Sequence, residues 1–390
     1  TSKCQILAPA TNSIANVTAI IRIVVPKSGC FNMNIDINNL YAILHAGMPI
    51  WILVCGAALC ILFDSIASKK MASVIYGIGI ASLLGSLYAT WQLWITPELL
   101  ASQNLLVIDL TTLFFIFLVN SIGIITLLNS VGYLKIHEGL NGEFCSLILC
   151  SIIGMIFLFA SNHLFVNFIG LETMSLSIYV LVGSHKHSLK SNEAALKYFI
   201  LGGVASAIML YGIALFYGAF STLNLSILSN LIAAQELVYL KNIALGLLLL
   251  GLFFKMAVVP FHFWAPDVYE GAPAPVTGFM ATAVKTAAFG FALRIFTELD
   301  VLNMPQIPQL LTVIVIATLV VGNLLALVQN NVKRILAYSS ISHAGFLLFG
   351  LLAGFENGHF NASNAHVVMF YLLAYFSMTL GAFAVLSLLT

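Results

Sequence analysis

Five ionisable side chains stand inside long apolar runs: Glu172 in LFVNFIGLETMSLSIYVLVG, Lys197 near the start of NEAALKYFILGGVASAIMLYG, Lys255 in LGLFFKMAVVPFHFW, Lys285 in FMATAVKTAAFGFALRIF and His343 in SSISHAGFLLFG. A charged side chain at the centre of a bilayer costs about 2.5–3.5 kcal/mol on insertion scales, so such groups are retained mainly for function. The chemistry open to this set is proton transfer. A buried amine is favoured in its neutral form and a nearby carboxylate restores the ammonium, so a mobile Glu/Lys contact switches a lysine between holding and releasing a proton. Each residue also has a plainer reading. Lys197 can lay its stem in the bilayer and send its amine to the interface, Glu172 can be a protonated carboxyl bonded to a neighbouring helix, and His343, after Ser339, Ser340 and Ser342, can be a packing histidine or a relay. His262, at the end of its span, reads as a structural hydrogen-bonding residue.

Lys255 carries a second signal, because Pro260 follows five residues later and removes a backbone donor, so the helix should break or kink there. Broken helices are tolerated at membrane depth only where protein or a water-filled cavity supports them, and a lysine beside such a break suits an ion or proton site. The following segment, Trp264 to Pro275, holds Asp267 and Glu270 and no base. It reads as a stiff turn between helices.

The elements that must position these groups follow from composition. The chain has 390 residues, 61% apolar and 7% charged, with a mean hydropathy of +1.05. Soluble domains carry about 25% charged residues, so this is an integral membrane protein. A crossing of about 30 Å needs roughly 20 apolar residues, and the sequence predicts eleven spans, near 40–63, 72–94, 109–130, 144–160, 164–183, 193–217, 241–262, 273–296, 309–330, 334–354 and 365–390. Only helices satisfy the backbone of such runs in lipid, so the fold class is an all-α, polytopic transmembrane helix bundle over residues 37–390. Residues 1–36, diluted by Asn, Ser, Thr, Pro26 and Gly29, read as a polar extramembrane N-terminal segment.

A formal net charge of +1 leaves no basic surplus for nucleic acid. Cys4, Cys30, Cys55, Cys60, Cys145 and Cys150 lack metal-ligand spacing and read as small hydrophobes. Loops after odd spans carry seven bases, Lys69, Lys70, Lys135, Lys186, Lys190, Lys333 and Arg334, against two, Lys241 and Arg294, after even spans. The odd-numbered loops should therefore face the negative side of the membrane.

The segments GLFFKMAVVPFHFWAPDVYEGAPAPVTGFMATAVKTAAF, SNEAALKYFILGGVASAIMLYG and NVKRILAYSSISHAGFLLFG resemble the antiporter-like membrane subunits of respiratory complex I, the proton-translocating NADH:quinone oxidoreductase, of the kind called subunit N in bacteria and subunit 2 in mitochondria. The resemblance covers about residues 40–390. It implies an antiporter-like fold of fourteen helices with two inverted five-helix repeats, helices 4–8 and 9–13, and a broken seventh helix. It further implies that Glu172 is the glutamate of the fifth helix, Lys255 the central lysine of the broken seventh and Lys285 the lysine of the eighth, with Lys197 a further lysine of the sixth. The family continues through a broken twelfth helix bearing another lysine, whereas this sequence stops in the eleventh span. The second repeat is then incomplete, and the sequence is either an incomplete copy or is completed by a separate chain supplying helices 12 to 14. The expected function is proton relay through Lys255, Glu172, Lys285, Lys197 and His343. Without G-x-G-x-x-G after a strand or a Cys cluster, no cofactor or metal is expected in this chain, and flavin, iron–sulfur clusters and quinone belong to partner subunits. The expected partners are other complex I membrane subunits, neighbouring antiporter-like subunits above all, and the lipid of a bacterial plasma membrane or a mitochondrial inner membrane. Alternatives are a subunit of a multi-subunit Na⁺/H⁺ antiporter or membrane-bound hydrogenase, or a non-transporting scaffold.

Overall fold

Long apolar runs with few charges close their backbone hydrogen bonds within one segment when they form helices, and among the described residues eleven such helices are present: Met48–Ile66, Ala72–Ile95, Leu110–Tyr133, Gly142–Ala160, Leu164–Val182, Leu189–Phe220, Tyr239–Met256, Ala274–Glu298, Ile307–Leu327, Val332–Leu352 and Ala365–Leu389. They are called the first to eleventh spans below. The computed structural model describes residues 44–66, 72–96, 105–137, 142–234, 238–299, 306–356, 359–361 and 364–389. Residues 1–36, Lys69 and Lys70 lie outside these. The outer faces are apolar, with Trp51, Leu84, Phe199, Ile200, Val313, Phe370 and Val385 each more than half exposed. Such a surface suits lipid and not water.

Where helices meet, small residues let backbones approach. The fourth and fifth spans touch at Gly154 and Gly170, where a Cβ on Gly154 would stand 2.4 Å from the amide nitrogen of Met174 and 2.7 Å from the carbonyl oxygen of Gly170. Asn167, buried, donates to the carbonyls of Leu158 (2.7 Å) and Ser161 (3.0 Å), satisfying the end of the fourth span.

The loops sort into two sets. After the second, fourth and sixth spans, Leu106 bridges Ser161 and His163 bridges Asn224, Asn162 donates to Ser226 at 2.8 Å, and Arg294, near the end of the eighth span, reaches Asp109. After the fifth, seventh and ninth spans, Lys190, Asp267, Glu270 and Arg334 come together. Eleven successive crossings require this alternation.

The seventh span ends at Met256, short of the expected 262, because the ring of Pro260 would collide with the carbonyl four residues earlier and its nitrogen offers no donor. Ala257 adopts a left-handed conformation with φ of 56°. Its amide donates to the carbonyl of Phe254 (3.1 Å) and that of Val258 to Phe253 (3.3 Å), which is a Schellman ending with alanine where glycine is usual. Thr318 of the ninth span accepts from the amide of Val259 at 3.0 Å, supporting the break.

The segment expected to be a turn is instead helical over Trp264–Gly271. Pro266 falls in its first turn, where the amides have no intrahelical partner anyway. This short helix packs on the sixth and tenth spans. The eighth span follows, with a π-helical stretch at Met280–Val284 just before Lys285. Residues 272–296 are all buried, so this span occupies the middle of the bundle.

Candidate functional site: two buried lysines and their partners

Lys255 lies in the last turn of the seventh span and is 2% exposed. Its Nζ donates to the Tyr179 hydroxyl at 3.3 Å and stands 5.3, 5.2 and 5.7 Å from the ring centroids of Tyr179, Tyr198 and Phe254. These aromatic faces present negative quadrupoles to an ammonium and also exclude water. Trp264, the first residue after the break, stacks on Tyr198 at 4.5 Å and donates its indole N–H to the Phe254 carbonyl at 3.0 Å. The two halves of the broken helix are thereby joined beside the lysine.

Glu172 is on the fifth span, two turns before Tyr179 and on the same face. Its Oε1 is buried with no hydrogen-bond partner, and its charge acts on both Tyr179 and Lys255. Glu172, Tyr179 and Lys255 form the first group.

Lys285 forms the second. It is 2% exposed, donates to the Ser340 carbonyl of the tenth span and lies 5.7 Å from the Tyr375 ring centroid. Tyr375, on the eleventh span, donates to the Ala281 carbonyl (3.0 Å) and meets the Ser340 hydroxyl at 2.9 Å. His343 sits one turn beyond Ser340, its Nδ1 2.7 Å from the Tyr371 hydroxyl and its ring 5.1 Å from that of Tyr375. The fold thus brings Lys285 and His343 to one hydroxyl cluster. Tyr269, 1% exposed, lies between the two groups, its ring 6.2 Å from Trp264 and its hydroxyl interacting with Ser340.

Lys197 is apart from both. Its side chain is 44% exposed and pairs with Glu193 at 2.8 Å and Asp267 at 3.1 Å. Lys190, Glu193, Lys197, Asp267 and Glu270 line a cavity of about 130 Å³. Burial favours the neutral forms of Asp267 and Glu270, yet hydrogen bonds from Arg334 with Lys197 and Lys190, respectively, hold both carboxyls below the usual range.

At the opposite set of loops Arg294, 7% exposed, clasps Asp109 through two bonds of 2.8 and 3.1 Å and donates to Thr112 at 2.7 Å. Asp109 also caps the third span by accepting from the Thr112 amide at 2.7 Å. Burial raises the Asp109 carboxyl, but the guanidinium outweighs it and the net direction is down. This is a bidentate fastening of the eighth span to the third.

Tyr179, Tyr198, Tyr269 and Tyr375 were not singled out by sequence, and Ser340 only as one of three serines before His343. The one available signal was spacing, with Tyr179 seven residues after Glu172 and Ser340 three before His343.

Residues 161–390 match the family described as "NADH:quinone oxidoreductase/Mrp antiporter, TM". "NADH-quinone oxidoreductase subunit N 1" of Thermodesulfovibrio yellowstonii is 47% identical over 261 residues, 67% of this chain and 55% of that protein, so the chain spans a little over half its length. The protein of the same name in Sorangium cellulosum is 39% identical over 366 residues, covering 87% of this chain and 71% of its own. A chain in the solved structure of respiratory complex I from Thermus thermophilus superposes with a TM-score of 0.72 at 37% identity, covering 87% of this chain and 70% of that one. A family match over more than half of the chain, with relatives of this identity and a solved structure of this similarity, shows that the chain belongs to the NADH:quinone oxidoreductase/Mrp antiporter transmembrane family.

Proposed function

We propose that this chain is a proton-translocating membrane subunit of an NADH:quinone oxidoreductase in a bacterial plasma membrane, with no redox step of its own. Protons are relayed through Glu172, Lys255, Lys285 and His343, with Lys197, beside the odd-numbered loops, a further member. Flavin, iron–sulfur clusters and quinone are carried by partner subunits, and the neighbours in the membrane are other antiporter-like subunits.

The observation that carries this reading is the Lys255 amine, 2% exposed at a helix break with the Tyr179 hydroxyl at 3.3 Å. A lysine so placed is costly to bury, and such a cost is sustained mainly where the group has a function. Glu172 supplies the charge that biases it, and the Ser340 carbonyl accepts from Lys285 beside the joined hydroxyls of Ser340 and Tyr375.

The test is Lys255→Ala in membranes carrying the assembled complex. NADH-driven proton uptake should fall severely, and a normal ratio of protons to NADH overturns the central role. Mass spectrometry of the purified assembly tests the setting: flavin and iron–sulfur subunits support it, and multi-pass subunits alone overturn it in favour of a cation/proton antiporter.

A further inference from the structure

The Tyr179 hydroxyl occupies space that only a missing side chain leaves open. Opposite it on the sixth span is Gly202, where a Cβ would stand 2.0 Å from Tyr179 Oη and 2.9 Å from Cζ. Any other residue at position 202 therefore displaces the hydroxyl. The ring of Tyr179 is separately fixed, edge-on to Tyr198 at 4.7 Å and to Phe199 at 5.7 Å. Those ring contacts, and the ring's face toward Lys255 at 5.3 Å, need no hydroxyl. What the hydroxyl adds is a side-chain hydrogen bond with Ser175 and the 3.3 Å bond from Lys255 Nζ, on the helix face that Glu172 shares.

We propose that Tyr179 is a positioning residue for the Lys255 amine and that Gly202 is its seat. The hydroxyl draws Nζ to the Glu172 side of the break, and the absent side chain at 202 lets it do so. The proposal rests on the reading of Lys255 as a proton carrier. The titratable groups facing Lys255 are Glu172 and Tyr179 from the fifth span and Tyr198 from the sixth.

The experiment compares Tyr179→Phe, Gly202→Ala, the double variant and Lys255→Ala, all as assembled complex in native membranes, by NADH-driven proton uptake across a pH range. Tyr179→Phe removes one oxygen and keeps the ring, so assembly should hold while pumping falls about tenfold and its pH profile moves. Gly202→Ala should cause a loss of the same kind, and the double variant should come close to Tyr179→Phe alone, because the 2.0 Å overlap with Oη is gone and only the 2.9 Å approach to Cζ, which a slight shift relieves, remains. If Gly202→Ala lowers the amount of assembled complex, Tyr179→Phe in the same chain should restore it. A wild-type rate and pH profile in Tyr179→Phe overturn the proposal, and a double variant far worse than Tyr179→Phe removes Gly202 from it. If Lys255→Ala pumps normally, the underlying reading fails instead, which separates the two.

Discussion

Arg334 and Asp267, 67 positions apart in sequence, meet at 2.8 Å, and the same guanidinium reaches Glu270 at 3.1 Å. Lys190 and Lys197 of the sixth span approach Glu270 and Asp267, each at 3.1 Å. The short helix beyond the break is thus tied by charge to both of its neighbours while its apolar residues Trp264, Val268 and Tyr269 face inward.

Removing one carboxylate from this clamp should have a modest effect. Asp267→Asn is expected to destabilise the solubilised complex by about 1 kcal/mol, because these groups are partly exposed and screened, with a larger effect at low salt. Both carboxyls are held below their ordinary range, so their contribution is complete above that range and is lost as pH falls through the lowered values. Thermal midpoints measured below about pH 4 should drop more steeply in the wild type than in the Asp267→Asn, Glu270→Gln variant.

Glu172 should be sensitive to charge more than to length. Glu172→Gln removes the charge acting on Tyr179 and Lys255 and is expected to reduce pumping about tenfold, whereas Glu172→Asp keeps it and should lose about two- to threefold. Equal proton uptake in the two variants reassigns Glu172 to packing.

Lys255→Arg should fail nearly as badly as Lys255→Ala. Arginine holds its proton under all accessible conditions, and its larger head must fit among Tyr179, Tyr198 and Phe254, whose ring centroids lie 5.2–5.7 Å from the present amine. Proton uptake near wild type in Lys255→Arg would show that release from this group is not needed.

Ala257→Gly should stabilise the chain. The left-handed φ of 56° costs an L-residue about 1 kcal/mol that glycine does not incur, while the Schellman bonds remain. Ala257→Val should do the opposite. Thermal aggregation midpoints of the solubilised complex, ordered Gly above Ala above Val, are the expected result.

The spans were legible because a long run of Leu, Ile, Phe and Ala has one stable form in lipid, and the break was legible because Pro260 has one effect on a helix. Glu172, Lys255 and Lys285 stood out because an ionisable group in such a run is costly. Tyr179, Ser340 and Tyr375 carry no such cost and pass as ordinary helix residues, so only the fold reveals them as the lysines' partners. The helix Trp264–Gly271 was hidden because Pro266 reads as a breaker, although it stands where a helix tolerates it. Lys197 could be read either as a relay lysine or as one reaching the interface, and the pairing that holds it was hidden because Asp267 is 70 residues away and no local pattern announces it. The N-terminal segment, residues 1–36, lies outside the described residues.

The π-helical stretch Met280–Val284 makes the direction of everything after it a matter of counting. Each residue of a regular helix turns the chain by about 100°, and a wide turn of this kind accommodates one residue more than the regular repeat. Deleting one residue there lets the helix close into an ordinary coil with its two ends directed nearly as before, whereas deleting one from a regular stretch turns everything beyond it by about 100°. One end is set by Pro273 and the helix start at Ala274, the other by the grip of Arg294 on Asp109. Lys285 lies between these two fixed bearings, so a deletion at Ala288, in the regular helix, would point its amine off Ser340 or pull Arg294 off Asp109, whereas a deletion at Ala281, in the wide turn, leaves both aimed nearly as they are. The bundle's middle helix behaves like a key cut to length, in which the number of residues, and not only their kind, decides what it opens.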